Sequence, residues 1–139
     1  MIKSAMHFFL WYNVYGDIME KDIFCKIVDG EIPSNKIYED DKVIAFLDIN
    51  PQANGHTLVV TKNHFKDIYD IDNETLMHVF NVAKDLSKKI VERLNATGVT
   101  FTQNNGEAQL VKHFHLHILP YYVNNELIDV NEIFNKLKD

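Results

Sequence analysis

The stretch "VKHFHLHILPYY", residues 111–122, places histidine at positions 113, 115 and 117 with one apolar residue between each pair. Successive side chains of a β-strand point to opposite faces, so the three imidazoles share one face with neighbours about 6.5 Å apart. We expect that face to lie on the solvent side of a sheet. The opposite face is the predicted core side, and it carries Phe114, Leu116 and Ile118.

A row of imidazoles suits two chemistries. In the first, two of the histidines and a third one, such as His56, ligate Zn²⁺ and leave one position open for water. In the second, one neutral imidazole attacks phosphorus in a phosphoryl or nucleotidyl transfer, while its neighbours orient it and donate hydrogen bonds to phosphate oxygens. The second chemistry needs no metal for catalysis, and the histidine row alone leaves both open.

The composition limits the class of protein that can carry this row of histidines. The chain has 139 residues, 46% of them hydrophobic, which predicts one globular core. Its formal charge of −6 argues against a surface that grips a nucleic acid polymer. The single cysteine, Cys25, excludes an internal disulfide and is compatible with a reducing cytoplasm. Since no apolar run approaches the ~20 residues of a membrane helix, we expect no membrane span.

Residues 1–20 differ from the rest of the chain because they are rich in aromatic side chains. We interpret them as an N-terminal extension of unknown role and place a single domain at residues 21–139.

The periodicity of the domain predicts an α+β fold. Four runs read as strands, namely 42–49, 56–61, 99–105 and 111–119, the last ended by Pro120 because proline lacks the N–H of the ladder. A three-four spacing predicts a long helix over 76–94, capped by Asp72 or Asn73 and stopped by Gly98. A short C-terminal helix is indicated by Leu127, Val130, Phe134 and Leu137.

Two motifs decide between the chemistries. "HFHLHIL" has the form His-φ-His-φ-His-φ-φ, with φ apolar, and "AFLDINPQANGHTLV" precedes it at residues 45–59. Together they resemble the histidine triad (HIT) family of nucleotide hydrolases and transferases, over residues 21 to 122 and most closely in its HINT-type phosphoramidase branch. The resemblance implies a HIT-like fold, with an antiparallel sheet of about five strands, one long helix and a homodimer.

The resemblance also implies a role for each matching residue. His115 matches the nucleophile that attacks the α-phosphorus and forms a nucleotidyl-histidine intermediate. His113 and His117 match the flanking histidines, and His56 matches a fourth histidine on the neighbouring strand. Asp48 matches the carboxylate that accepts hydrogen bonds from the ribose hydroxyls. The implied walls of the nucleobase slot are Ile23, Phe24, Phe46 and Ile49, and the implied phosphate contacts are Asn104, Gln109 and the Val111 backbone.

The implied activity is hydrolysis of a purine nucleoside 5'-phosphoramidate, an AMP-amine, without a required cofactor. Hydrolysis of dinucleoside polyphosphates, a nucleotide-binding or interaction module with little turnover, and a zinc hydrolase are the alternatives. Many bacterial relatives carry Cys-x-x-Cys, part of a structural zinc site, where this chain has "DIFC". Because Asp22 replaces the first cysteine, we expect structural zinc to be doubtful, and we assign no metal ligand.

Overall fold

A computed structural model describes residues 21–139. The predicted extension, residues 1–20, lies outside the described residues. In chain order the elements are α1 (Ile23–Val28), β1 (Lys36–Glu39), β2 (Val43–Leu47), β3 (Thr57–Thr61), α2 (Asn73–Leu94), β4 (Gly98–Thr102), a 3-10 turn (Gly106–Ala108), β5 (His115–Tyr121) and α3 (Val130–Leu137).

The five strands form one antiparallel sheet in the order β1-β2-β3-β5-β4. Strand β5, which carries the histidine row, therefore lies between β3 and β4. The register places Val60 opposite His115 and Leu58 opposite His117. The predicted α+β architecture, with one long helix and a short C-terminal helix, is confirmed.

The two faces of the sheet bury two separate apolar clusters. Alternation along β2 sends Val43, Ala45 and Leu47 to one face and Ile44 and Phe46 to the other. The first face forms a large core beneath α2 and α3, which also takes in Phe114, Leu116 and Ile118 as predicted. The second face forms a small core beneath α1, composed of Phe24, Ile44, Phe46, Leu58, Val60 and Val111.

The long helix agrees with its prediction in extent and differs from it at the end. Asp72 is the N-cap, and its carboxylate accepts the Thr75 N–H at 3.0 Å. The predicted stop at Gly98 is wrong, because Asn95 adopts a left-handed conformation with φ of 57° and ends the helix first. Phe80, predicted on the buried face, is 39% exposed and stacks edge-to-face on Phe101.

Strand β5 differs from its predicted span at both ends. It begins at His115, so His113 precedes the strand, and it continues through Pro120 to Tyr121. Strand β3 pairs with β5 only as far as Ile118, opposite Thr57. Beyond Ile118 one side of β5 has no pairing from β3, and a residue that lacks an N–H is tolerated there.

Two elements near the start of the domain were not located from the sequence, namely α1 and β1. Helix α1 begins where the Asp22 carboxylate accepts the Cys25 N–H at 2.8 Å. It packs Phe24 onto the small core and so covers the histidine-bearing face of the sheet. Among residues 21–139, no helix has the length and apolar character needed to cross a membrane.

Candidate active site

The three histidines of the row do not face solvent, contrary to the expectation from alternation. His113 is 0% exposed, His115 is 6% exposed and His117 is half-buried. The cause is α1, because its Phe24 ring makes a T-shaped contact with His115, with centroids 4.9 Å apart. Buried imidazoles need hydrogen-bond partners, and the partners they have here fix which nitrogen carries the proton.

His115 has its proton placed by the main chain. Its Nδ1 lies 2.7 Å from the carbonyl oxygen of His113. A carbonyl can only accept, so Nδ1 carries the hydrogen and the lone pair of the neutral ring lies on Nε2. Burial lowers the pKa of His115 to about 4; the bond to the His113 carbonyl opposes this shift, and the neighbouring His117 adds to it. The ring is therefore neutral at pH 7, as an imidazole nucleophile must be.

His56 and His117 form a hydrogen-bonded pair in which His56 is the donor. The Gln52 main-chain N–H donates to His56 Nδ1 at 3.1 Å, so a neutral His56 carries its hydrogen on Nε2. That Nε2 lies 2.9 Å from His117 Nδ1 and donates to it. The hydrogen of a neutral His117 is therefore on its own Nε2. Burial lowers the pKa of both rings, against the opposing charge of Asp48.

The position of His56 depends on the glycine before it. Gly55 has φ of +87°, and a Cβ added there would lie 2.7 Å from Leu94 Cδ1. Gly55 therefore makes a turn that a residue with a Cβ would adopt only under strain. Asp48 lies next to this turn, where its Oδ1 accepts the Asn50 N–H at 2.8 Å and its Oδ2 is 3.6 Å from His56 Nε2.

His113 differs from the other two histidines because it belongs to a second polar cluster. Its Nε2 donates to the Thr61 carbonyl at 2.7 Å, and its Nδ1 faces an Asp22 carboxylate oxygen at 3.0 Å and Cys25 Sγ at 3.5 Å. His64 Nδ1 lies 2.9 Å from the same Asp22 oxygen. His64 was not predicted to have a role, and the Asp22-x-x-Cys25 spacing, from which zinc was judged doubtful, is the sequence signal that could have located this cluster.

The second cluster shifts the pKa values of its members strongly. The hydrogen bond to Asp22, followed by that to Cys25, raises the pKa of His64 to about 10. Burial opposes charge on His113, but the bonds to Asp22 and Cys25 raise its pKa to about 9. For Cys25, burial is outweighed by the hydrogen bonds of His113 and His64, which lower its pKa to about 7.

The donor set of the second cluster fits a tetrahedral divalent metal. The four ligand atoms, one each from Asp22, Cys25, His64 and His113, lie within 4.8 Å of one another. Ligands at the bond lengths of zinc sites are about 3.3–3.5 Å apart in a tetrahedron, and four of the six pairs of ligand atoms here are 2.9–3.7 Å apart. The expectation that zinc is doubtful rested on residue type and stays a prediction. Zinc bound there would cross-link α1 to the residues before β5.

A second trio bears on the zinc-hydrolase alternative. Ligand atoms of Asp48, His56 and His117 also lie within 4.8 Å of one another. The imidazoles of His56 and His117 already contact each other at hydrogen-bond distance, however, and His56 Nδ1 accepts a main-chain N–H. A metal would have to break the bond between the two rings, so the geometry favours the hydrogen-bonded pair.

Some of the remaining predicted residues lie in the small core, and the others lie in loops. Phe24, Phe46 and Val111 belong to the small core, with Ile23 packed against it. Ile49 is 70% exposed. In the loop before β5, Gln109 is buried and donates from Nε2 to the Lys66 carbonyl at 2.6 Å. In the described part of the chain, no hydrogen bond or ring contact joins Ile49 or Asn104 to the histidines.

Comparison with known proteins shows what this chain is similar to. The family model described as HIT domain matches residues 29–124. Protein hit of Bacillus subtilis is 42% identical over 105 residues, which cover 74% of this chain and 72% of that protein. Adenosine 5'-monophosphoramidase HNT1 of Candida albicans is 40% identical over 104 residues, covering 70% and 68% of the two chains.

A solved structure extends the likeness to three dimensions. The zinc-bound histidine triad family protein of Mycobacterium smegmatis superposes with a TM-score of 0.78 at 35% identity, covering 84% of this chain and 89% of that one. The sequence match covers most of the domain, and the fold match includes the sheet that carries the histidine row. This chain therefore belongs to the HIT domain family.

Proposed function

We propose that this protein hydrolyses nucleoside 5'-phosphoramidates, releasing an amine and a purine nucleoside monophosphate through a nucleotidyl-histidine intermediate on His115. The observation that carries the proposal is the bond from His115 Nδ1 to the His113 carbonyl. It places the hydrogen of the ring on Nδ1 and leaves Nε2 as the reactive nitrogen, while burial keeps the ring neutral. The likeness to an adenosine 5'-monophosphoramidase supports AMP-type substrates.

The first chemical step exchanges one bond at phosphorus for another. His115 Nε2 attacks the α-phosphorus, the P–N bond breaks, and the leaving nitrogen takes a proton from solvent to depart as the amine. The ring becomes cationic on forming the P–N bond, and the His113 carbonyl stabilises that charge through Nδ1–H. The Nε2–H of His117 donates a hydrogen bond to the leaving nitrogen as negative charge develops there.

In the second step, water attacks the phosphorus of the intermediate. The P–Nε2 bond breaks, AMP is released, and the proton of the water returns to solvent, so His115 is regenerated neutral. Neither step requires a metal. We propose that Asp48 accepts hydrogen bonds from the ribose hydroxyls. The proposed contacts to the base are Ile23, Phe24, Phe46 and Ile49. The proposed phosphate contacts are Asn104, Gln109 and the Val111 main chain.

A cytoplasmic location and a homodimer belong to the same proposal. The single cysteine is compatible with a reducing compartment, and the dimer rests on the family resemblance. Light scattering of the purified protein tests the dimer, and a monomeric mass would contradict it.

The deciding experiment measures release of amine and AMP from an adenosine 5'-phosphoramidate. We expect turnover by the wild type, with or without a chelator, and loss of activity in His115→Ala. The matched control is His78→Ala, because His78 lies on α2, on the opposite face of the sheet. Rapid quenching of the wild type should trap AMP covalently on the protein. Loss of turnover with a chelator would favour the zinc-hydrolase alternative, and AMP binding without turnover would favour the binding module.

A further inference from the structure

The segment between β5 and α3 is tied to the loop before β3 through Asn54. The Asn54 side chain donates from Nδ2 to the Glu126 carbonyl at 2.8 Å and accepts the Ile128 N–H on Oδ1 at 3.0 Å. One amide thus uses both its donor and its acceptor on the main chain of one segment. This arrangement fixes the segment against the loop in one register.

Two further hydrogen bonds reinforce the tie. The Tyr122 hydroxyl donates to the Asn54 carbonyl at 2.6 Å, and Asn125 Nδ2 lies 3.4 Å from the Gln52 carbonyl. We call the four bonds made by Asn54, Tyr122 and Asn125 the clasp. The clasp holds the loop at residues 52–54, while Gly55 packs against Leu94. The loop is therefore fixed on two sides.

This loop carries the main-chain N–H that determines which nitrogen of His56, and in turn of His117, bears the hydrogen. The Gln52 N–H donates to His56 Nδ1, which forces the hydrogen of His56 onto Nε2 and the hydrogen of His117 onto its Nε2. A rotation of the Gln52 peptide would remove that donor. His56 could then carry its hydrogen on either nitrogen, and His117 would no longer present a fixed N–H donor.

We propose that Asn54 is a positioning residue: through the clasp it holds the Gln52 N–H on His56 and so keeps the hydrogen of His117 on Nε2. The role rests on the proposed function, because the Nε2–H of His117 acts there as the donor to the leaving group. The segment that follows β5 thereby contributes to the site without contacting the row of histidines.

The test compares substrates that differ in their need for that donor. An adenosine 5'-phosphoramidate of an alkylamine has a basic leaving group, whereas the 4-nitrophenyl ester of AMP has one that departs without a proton. In Asn54→Ala we expect kcat/KM for the alkylamine substrate to fall about tenfold, a part of the usual general acid–base contribution. The value for the nitrophenyl ester should stay within about twofold of the wild type.

Two more variants accompany Asn54→Ala. Tyr122→Phe deletes one hydroxyl and one bond of the clasp, so it should act in the same direction by a smaller factor. The matched control is Asn124→Ala, because Asn124 is exposed in the same segment and makes no bond of the clasp. The control should match the wild type on both substrates.

The second readout is the tautomer of the two rings, read from the ¹⁵N shifts of imidazole-labelled protein. The wild type should show Nε2–H for both His56 and His117, and Asn54→Ala should show averaged shifts. An equal fall on both substrates, or unchanged tautomers in a folded Asn54→Ala, would overturn the inference. If the wild type releases neither amine nor nitrophenolate, the proposed function fails, and the tautomers of the variants still decide the role of the clasp.

Discussion

The rings of Phe24 and His115 meet in a T-shaped contact, with their centroids 4.9 Å apart and their planes at 76°. Phe24 also meets Phe46 edge-to-face at 5.9 Å, so one aromatic side chain links the small core to the reactive imidazole. The contact excludes water from one side of the ring, which is why His115 is buried although it lies on the polar side of β5.

Replacing Phe24 should therefore lower the stability of the fold. We expect Phe24→Ala to lower the free energy of unfolding by about 3–5 kcal/mol, the usual cost of truncating a buried phenylalanine. Phe80→Ala is the matched control, because Phe80 is partly exposed and lies on α2, and it should cost about 1 kcal/mol. Denaturant unfolding measures both values. Equal losses in the two variants would contradict the packing role of Phe24.

Variants of His56 and Gln52 test whether Gln52 acts on the histidine pair through its main chain and not through its side chain. His56→Ala removes the donor to His117 Nδ1, so we expect kcat for the phosphoramidate to fall by about 10²-fold, at the lower end of general acid–base contributions. Gln52→Ala should leave kcat unchanged, because only the main-chain N–H of Gln52 contacts His56. Steady-state kinetics of the two variants checks this, and a comparable fall in Gln52→Ala would show that the pair is held in another way.

Alternation along the strands predicted much of this structure. It identified Phe114, Leu116 and Ile118 as core, and the three-four spacing located α2, because long amphipathic elements repeat their pattern many times. The sequence did not reveal α1, which has only six residues and buries only Phe24. Without α1 the histidine face was predicted to be on the solvent side, and one short helix reverses that conclusion.

The candidate site was predictable as a set of residues but not as a set of contacts. The motif brought His56 and the three histidines of the row together, and the structure adds which nitrogen of each carries the proton. Those assignments depend on main-chain groups, the His113 carbonyl and the Gln52 N–H, of which every residue type supplies the first and every type except proline the second. A pattern of side chains therefore contains no information about them.

The Asp40 carboxyl, in the turn after β1, should make the stability of the fold depend on pH. Burial would raise the pKa of the Asp40 carboxyl, but hydrogen bonds from Tyr38, from the Lys42 and Val43 N–H groups and from His78 hold it well below its usual range. A carboxyl whose pKa is depressed in the folded state adds stability above its unfolded pKa of about 4. That contribution is lost as the pH falls from about 4 toward the folded value.

Asp40→Asn tests this linkage. At pH 7 the variant should be less stable than the wild type by about 1.5–3 kcal/mol, the range for hydrogen bonds to charged groups. Below pH 4 the difference between them should shrink. Asp41→Asn is the matched control, since Asp41 is exposed and bonds to neither Tyr38 nor His78. Urea unfolding across pH 3–7 measures the difference, and a constant gap between variant and wild type would refute the assignment to Asp40.

Alanine substitutions at Gly30 and Gly55, which both have positive φ, distinguish the cost of backbone strain from the cost of a steric clash. Gly30 has φ of +80°, and a methyl group added there would meet open space, so Gly30→Ala should cost only the strain of the left-handed region, about 1 kcal/mol. Gly55→Ala adds a contact of 2.7 Å to Leu94 and one of 3.0 Å to Ile90, for which overpacking costs about 1–3 kcal/mol more.

Gly55→Ala should also reduce turnover, because relief of the clash moves the turn that precedes His56 and disturbs the bond from Gln52. Gly30→Ala should leave turnover at the wild-type level, since Gly30 lies after α1 and away from this turn. Thermal unfolding and phosphoramidate kinetics on both variants check the pair of predictions. Equal destabilisation would mean that Leu94 and Ile90 yield to the added methyl group, and turnover of Gly55→Ala would then show whether the turn itself has moved.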